Sequence, residues 1–148
     1  MKIYVAAKFE AKEQVRALYE KLRAAGHEIT HDWTGEDDSH LTDPRKKELY
    51  WENAADADLG GVDSADVLVL VPHPHGRGLF VELGAALARQ ISVYVVGDPV
   101  VLGADTIFFY LPQVVVLVND EELLEALALD EQIEQESGVE RGKSLASA

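Results

Sequence analysis

The sequence predicts a doubly wound α/β fold, in which helices cover both faces of a parallel sheet. Short runs of β-branched and aromatic residues alternate with longer stretches of helical periodicity along the chain. Two of these runs, residues 67–71 and 114–118, are continuously apolar, which is typical of strands that are buried on both faces. Strands and helices in alternation favour parallel pairing, because each helix carries the chain back across the sheet.

The N-terminal part of the chain predicts a strand, a helix, a second strand and a loop. Residues 2–7 are the first strand, and residues 11–25 form a helix that ends at Gly26. The apolar face of this helix carries Val15, Leu18, Tyr19 and Leu22. Residues 27–33 alternate moderately in polarity, as a short strand does, and the polar residues 34–42 predict a loop.

A second helix begins at Asp43 and Pro44, an N-cap acid followed by proline at the first helical position. We expect it to end near Ala57. Its inward face is expected to carry Leu49, Tyr50 and Ala54. The remaining elements are predicted as a strand over 67–71, a loop over 72–78, a helix over 79–90, strands over 91–96 and 114–118, and a helix over 121–129.

Five strands connected in this way predict the flavodoxin-like order 2-1-3-4-5. Residues 1–134 then form one domain, and residues 135–148 are an acidic tail that we expect to be disordered. Neither an internal repeat nor a second domain is evident in the pattern.

The acidic charge of the chain argues against a nucleic-acid partner. The net charge is −14, and residues 120–148 hold nine acids against two basic residues. Such a surface repels phosphate backbones. The chain has no cysteine, no apolar run long enough to cross a bilayer and no signal-like segment at its start. We therefore expect a cytoplasmic protein without nucleic-acid or membrane partners.

One acid stands near the place where a sheet of this order binds its ligand. That place is the carboxyl end of strands 1 and 3, where the loops are residues 6–10 and 72–78. Glu82 follows the second loop, in a helix made otherwise of apolar and small residues. A carboxylate there costs free energy unless it is paired or used, so Glu82 is a candidate catalytic residue. The alternative is a glutamate favoured by the helix dipole.

The Gly76-Arg77-Gly78 turn before the same helix resembles an anion cradle. Free N–H groups and the helix dipole favour a phosphate there, and Arg77 could add a bidentate donor. Short glycine turns also occur for backbone geometry alone. His73 and His75 lie in the same loop, but no third ligand accompanies them, so we predict neither a metal site nor a cofactor.

Three segments carry a resemblance to the nucleoside 2-deoxyribosyltransferase family. They are residues 3–7 (IYVAA), 58–67 (DLGGVDSADV) and 78–86 (GLFVELGAA), which occur in the family's order at the predicted strand ends. The resemblance covers roughly residues 2–129. It implies a flavodoxin-like subunit that acts on a nucleoside or nucleotide and completes its pocket in a homo-oligomer, a dimer or larger. Family members transfer a 2-deoxyribosyl group between bases or hydrolyse nucleoside monophosphates at the same bond.

The resemblance also implies roles for particular residues. Glu82 matches the family's nucleophile, which attacks the anomeric carbon of the sugar. Asp58 matches an aspartate that assists at the base and sugar, and Tyr4 a tyrosine that positions the glutamate. Sequence alone would not single out Asp58 from the neighbouring acids. Asp63 and Asp66, close by, are interpreted as turn and capping residues.

The chain departs from the family pattern at the expected 5′ end of the substrate. Six residues before the glutamate, the transferases carry an acid and the nucleotide hydrolases a serine, where this chain has Gly76. In the first loop, where the nucleotide hydrolases use a serine, it has Ala6-Ala7-Lys8. Lys8 and Arg77 could hold a phosphate or could both be solvated. Transfer to a second base, hydrolysis of a nucleoside 5′-monophosphate and a non-catalytic nucleotide-binding module all remain open.

An aromatic residue follows the second predicted strand. Trp33 could stack on a nucleobase while Asp32 reads the edge of the base. A tryptophan that packs under a loop is an equally good interpretation.

Overall fold

The computed structural model describes residues 1–99 and 106–138. Within these ranges it has five strands: β1 (Lys2–Ala6), β2 (Glu28–Ile29), β3 (Val67–Leu70), β4 (Ser92–Val96) and β5 (Val114–Leu117). It has four α-helices: α1 (Lys12–Ala24), α2 (Pro44–Asp63), α3 (Arg77–Ala88) and α4 (Asp120–Ser137). The strand order is β2-β1-β3-β4-β5 and every pair is parallel, so the predicted fold class is confirmed.

The core of the protein lies on both faces of the central strands. All four residues of β3 are fully buried, in register with β1 on one side and β4 on the other. Removing these aliphatic side chains from water provides the main driving force for the sheet. The predicted apolar face of α1 is buried against the sheet, and α1 is followed by Gly26 at a φ of 89°, as a helix-ending glycine often is.

The segment that contains β2, between α1 and α2, differs most from the prediction. The strand expected over residues 27–33 contains only Glu28 and Ile29. The chain then forms a 3-10 turn, Trp33–Gly35, because the Asp32 carboxylate accepts a hydrogen bond from the Thr34 N–H. The alternation of polar and apolar residues in this segment therefore reflects a capped turn rather than an extended strand.

The second helix is longer than predicted, and its interior contains two glycines. It ends at Asp63 rather than Ala57, although Gly60 and Gly61 have low helix propensity. Tertiary packing outweighs that propensity, because Val62 is buried in the core and Gly61 lies against β1. The expectation that Leu49 faces inward is also wrong, since its side chain is 58% exposed.

The last two helices also have corrected bounds. α3 begins at Arg77, two residues before the predicted start, and its buried face carries Leu79, Leu83 and Ala86 as expected. α4 continues to Ser137, so residues 135–137 are helical rather than part of a disordered tail. Residues 139–148 lie outside the described part of the chain. Over the described ranges, no helix is both long and apolar enough to span a membrane.

Candidate active site

A cavity of about 540 Å³ opens at the carboxyl ends of β1 and β3. It lies where the strand order reverses, which is the position expected for a ligand in a sheet of this kind. Its walls come from the segments that follow β1, β2 and β3 and from the facing sides of α2 and α3. Among the polar lining residues are Tyr4, Lys8, Glu36, Asp58, Arg77 and Glu82.

Tyr4 joins the two carboxyl groups at the centre of this cavity. Its ring is fully buried in β1, and its hydroxyl oxygen lies 2.6 Å from Glu82 Oε1 and 2.8 Å from Asp58 Oδ1. Three elements therefore meet at one hydroxyl group, with β1 supplying Tyr4, α2 supplying Asp58 and α3 supplying Glu82. The structure thus places the three residues with predicted catalytic roles in one hydrogen-bonded group.

Gly61 allows α2 to approach β1 closely enough for this contact. A Cβ atom at position 61 would lie 2.7 Å from Tyr4 Cδ2 and 2.8 Å from His31 Cβ. Gly61 lies one helical turn after Asp58, so the two residues share a face of α2. The Thr30 hydroxyl also donates to the Gly61 carbonyl oxygen at 2.8 Å. The role of Gly61 was not predicted from the sequence, because the helix was expected to end near Ala57 and the contact with Tyr4 joins residues far apart along the chain.

Burial raises the pKa of Glu82 to about 7. This pKa is the net result of burial, which raises it most, of the hydrogen bond from Tyr4, which lowers it, and of the negative charge of Asp58, which raises it. Glu82 lies in α3 among apolar and small residues, so few polar groups of its own helix can stabilise its negative charge. Burial also raises the pKa of Tyr4 far above its ordinary value, followed by the charges of Glu82 and Asp58, so its hydroxyl stays protonated.

Counting protons in this group gives a further constraint. A tyrosine hydroxyl has one hydrogen atom, yet two carboxyl groups lie within hydrogen-bond distance of it. If both were ionised, one of the two contacts would bring together oxygen atoms without a hydrogen between them. A proton on either carboxyl group would remove this conflict, because that group could then donate to the tyrosine oxygen. The group can hold one carboxylate and one carboxylic acid at the same time.

Asp58 is linked to two more side chains that the sequence analysis did not single out. His31 Nε2 lies 3.7 Å from Asp58 Oδ1 and 2.9 Å from Glu36 Oε1. His31 and Glu36 both lie after β2, and Glu36 lines the cavity. The polar contacts thus run from Glu82 through Tyr4, Asp58 and His31 to Glu36. Sequence offered no signal for this, because the contacts join segments that are far apart along the chain.

Two cations border the cavity. Lys8 lines it, and its ammonium group lies 2.8 Å from Glu10 Oε1. Arg77 lines it at the start of α3, and within residues 1–99 and 106–138 no acid lies within ion-pair distance of its guanidinium group. Of these two cations, Arg77 is therefore the one without an acidic partner among the described residues.

The position before Arg77 has no room for a side chain. A Cβ atom at Gly76 would lie 2.5 Å from Leu79 Cδ1 and 3.3 Å from the His73 carbonyl oxygen. Leu79 is buried and lines the cavity, so it fills the space that a polar residue at position 76 would need. Gly78, the other predicted glycine of this turn, also lines the cavity and has open space beside it.

Trp33 and Asp32 occupy different surroundings. Trp33 lines the cavity, is only 6% exposed and donates its indole N–H to the Val5 carbonyl oxygen at 2.8 Å. Asp32 caps the 3-10 turn and lies 3.4 Å from Arg23, in a separate surface groove. Asp32 therefore does not line the cavity, and this arrangement gives no support to the prediction that it reads the edge of a base.

Ala6 is fully buried at the end of β1 and does not line the cavity. Its neighbour Ala7 does. His75 lines the cavity, and its ring lies 6.1 Å from that of His73. In the described ranges, no cluster of three or more histidine, aspartate or glutamate side chains is arranged to hold a metal ion.

The fold and the cavity define a doubly wound α/β protein with a carboxylate-lined site at its switch point. The family model for nucleoside 2-deoxyribosyltransferase matches residues 3–135, and the chain belongs to that family. No protein with a curated description matches the chain.

Solved structures that share the fold include the following three. A CMP N-glycosidase, BcmB, from Clostridium botulinum is 17% identical, with a TM-score of 0.52 over 87% of this chain and 99% of that one. A 2-deoxyribosyltransferase from Bacillus psychrosaccharolyticus is 19% identical, with a TM-score of 0.56 over 84% and 90%. A conserved protein from Enterococcus faecalis V583 is 21% identical, with a TM-score of 0.57 over 88% and 98%.

Proposed function

We propose that this protein cleaves the N-glycosidic bond of a nucleoside or nucleotide, with Glu82 as the nucleophile. The observation that carries the proposal is the single Tyr4 hydroxyl between Glu82 and Asp58 in a cavity at the switch point. Family membership and the likeness to a CMP N-glycosidase and a 2-deoxyribosyltransferase support the same chemistry. The reaction needs an ionised carboxylate at the sugar and a protonated carboxyl group at the base, and one proton shared between Glu82 and Asp58 through Tyr4 could supply this pair.

In the first step, the Glu82 carboxylate forms a bond to C1′ of the sugar while the bond from C1′ to the base nitrogen breaks. The electron pair of the broken bond leaves with the base, and Asp58 donates its proton to the base. The sugar passes through an oxocarbenium-like state that the neighbouring carboxylate stabilises. Tyr4 donates its hydrogen to Glu82 before the attack and keeps that side chain aimed at C1′.

In the second step, a second base or water attacks C1′ and releases Glu82 as a carboxylate. The attacking nitrogen or oxygen loses a proton, which Asp58 takes back. The chain then returns to its starting protonation state. Transfer and hydrolysis share these steps and differ only in the acceptor that the cavity admits.

A nucleoside 5′-monophosphate is the second candidate substrate, and Arg77 favours it. Its guanidinium group borders the cavity without an acidic partner among described residues, beside the first turn of α3. A phosphate could take two hydrogen bonds from this group and further ones from the helix N-terminus. At the position where the resemblance leads one to expect a serine or an acid, this chain has Gly76. Recognition of the 5′ end of the substrate would therefore depend on Arg77 and Lys8.

We also propose that a second copy of the chain covers the cavity rim. Several apolar side chains at or next to the rim are exposed, and Val81 is 62% exposed. Burying apolar side chains against a second subunit would remove them from water and close the site to solvent. Sedimentation of the wild type and of Val81→Lys tests this: a wild-type oligomer that dissociates in the variant is expected, and a monomeric wild type would contradict it.

The test of the proposed reaction uses one deoxynucleoside and one deoxynucleotide, each with and without a second free base. Chromatography of the products separates transfer, hydrolysis and inactivity. We expect base release by the wild type and at least a thousandfold loss in Glu82→Gln, which keeps the size of the side chain but removes the nucleophile. Glu125→Gln, an exposed acid on α4, is the matched control and should retain wild-type rates.

Nucleotide binding without base release from any substrate would instead indicate a non-catalytic binding module. Base release that persists in Glu82→Gln would remove Glu82 from its proposed role. Thermal unfolding of both variants must match the wild type closely enough to show that the fold is retained.

A further inference from the structure

The cavity has two polar ends, and only one of them takes part in the proposed bond cleavage. Glu82 lies at one end of the chain of polar contacts, and Glu36 lies at the other, beyond Tyr4, Asp58 and His31. If the sugar lies against Glu82 and Asp58 protonates the base, the base extends toward His31 and Glu36. The side chain of Glu36 is about 30% exposed and lines the cavity, so a ligand can reach it.

Glu36 is held in place from three sides. Its backbone N–H donates to the Trp33 carbonyl oxygen at 3.0 Å, which closes the 3-10 turn. Trp33 is itself anchored by its buried ring and by the hydrogen bond of its indole N–H to Val5. His31 then fixes the carboxylate through Oε1 at 2.9 Å. A side chain fixed in this way loses little entropy when it binds a ligand.

The second oxygen of Glu36 is the group that a base would meet. Hydrogen bonding to His31 uses Oε1, and within the described ranges no residue is assigned a hydrogen bond to Oε2. A carboxylate accepts hydrogen bonds and donates none, so it favours a base edge that presents N–H groups. At the exocyclic position of the six-membered ring, cytosine and adenine present an amino group that donates, whereas uracil and hypoxanthine present a carbonyl oxygen that repels a carboxylate. The discrimination therefore requires that Oε2 meets this exocyclic group rather than the neighbouring ring N–H of uracil or hypoxanthine. Trp33 provides an apolar wall beside it.

We propose that Glu36 is a specificity-determining residue that selects bases with an exocyclic amino group, and that His31 is its positioning residue. The proposal rests on the proposed function, because it assumes that the sugar lies at Glu82. It goes beyond that function by assigning the base to a particular pair of side chains and by naming the chemical class of base that they accept.

The experiment compares deoxycytidine with deoxyuridine, and deoxyadenosine with deoxyinosine, for the wild type and Glu36→Gln. We expect kcat/KM of the wild type to favour the amino-bearing member of each pair by about tenfold or more, the worth of one hydrogen bond to a charged group. Glu36→Gln should bring each ratio to within about twofold, since an amide can present either an acceptor or a donor. The exposed control Glu125→Gln should keep the wild-type ratios.

The same comparison is made by binding, so that it remains readable if no base is released. Dissociation constants for deoxycytidine and deoxyuridine are measured by calorimetry in the Glu82→Gln background, with and without Glu36→Gln. A preference for deoxycytidine that disappears with Glu36→Gln supports the proposal even if the cleavage reaction fails. Equal affinities in both backgrounds, no binding of either nucleoside, or a kcat/KM ratio that Glu36→Gln leaves unchanged would each overturn it.

His31→Phe tests the positioning role, because it keeps an aromatic ring but removes the nitrogen that holds Glu36. The ratio between the two bases should fall, whereas a purely structural role would lower the rates for both bases equally. A ratio equal to that of the wild type, with both rates reduced, would contradict the positioning role.

Discussion

Asp58, in the body of α2, and two acids at or just beyond the C-terminal end of this helix have different kinds of partners. At the C-terminal end of the helix, Asp63 forms an ion pair with Arg89, and Asp66 just beyond it accepts a hydrogen bond from the Lys2 N–H at 2.7 Å. Each of these acids has a donor of its own. In the body of the helix, Asp58 shares the one hydroxyl of Tyr4 with Glu82. Acids whose charge is balanced locally stabilise the structure, whereas acids left with a shared donor in a cavity are candidates for chemistry.

The raised pKa of Glu82 should make the free energy of unfolding depend on pH. The pKa of Glu82 is raised by burial to about 7 in the folded state, from 4.5. The folded state therefore holds the proton more tightly than the unfolded state, so the free energy of unfolding falls as pH rises between these two values. Glu82→Gln has no such titration. Its free energy of unfolding, relative to the wild type, should rise by about 2 kcal/mol between pH 5 and pH 8.

Urea unfolding of both proteins at several pH values measures this difference. Glu125→Gln serves again as the control and should show no pH-dependent difference from the wild type. A constant difference between Glu82→Gln and the wild type across this pH range would mean that Glu82 has an ordinary pKa.

Removing the shared hydroxyl should affect both rate and pH dependence. In Tyr4→Phe the carboxylate of Glu82 loses the hydrogen bond that lowers its pKa. The acid limb of the pH–rate profile, near pH 7 in the wild type, should move to higher pH, and kcat should fall by about ten- to a hundredfold. Rates of base release measured from pH 5 to pH 9 test this. An acid limb that stays in place would show that Tyr4 does not act on the nucleophile.

Substitutions at two neighbouring glycines of α2 should have opposite effects on its packing against β1. Gly61→Ala puts a methyl group within 3 Å of Tyr4 and His31, so it should cost about 1–3 kcal/mol of stability and lower kcat. Gly60→Ala is the matched control, since nothing lies within 4 Å of a Cβ there. It should gain up to about 1 kcal/mol, because alanine favours a helix over glycine. Thermal unfolding of both variants measures this difference. Similar melting temperatures would mean that the packing of α2 against β1 does not require a glycine at position 61.

Substitution of Asp63, at the C-terminal end of α2, should have the smallest effect on stability and activity. Asp63 and Arg89 are both exposed, so their ion pair contributes little. Asp63→Asn should change the free energy of unfolding by less than about 1 kcal/mol and leave kcat/KM unchanged. A large loss of base release in Asp63→Asn would remove the distinction between the two groups of acids.

The sequence predicted the sheet order and most of the helices because those features depend on local periodicity. Glu82 stood out because a charge in an apolar helix is visible within one segment. Asp58 was identified only through the family resemblance, since the contact with Tyr4 joins residues far apart in the chain. Gly61, His31 and Glu36 were missed for the same reason, and the end of α2 was misplaced because tertiary packing outweighs the helix propensity of glycine.

The most direct test of Glu82 as nucleophile is to detect the bond that it forms. The wild type is mixed with a deoxynucleoside, without an acceptor base, and quenched in acid during turnover. Mass spectrometry of the digested protein should find the mass of a deoxyribosyl group on the peptide that contains Glu82, and Glu82→Gln should show no such addition. Base release by the wild type with no sugar on that peptide, or with the sugar on another residue, would contradict the account.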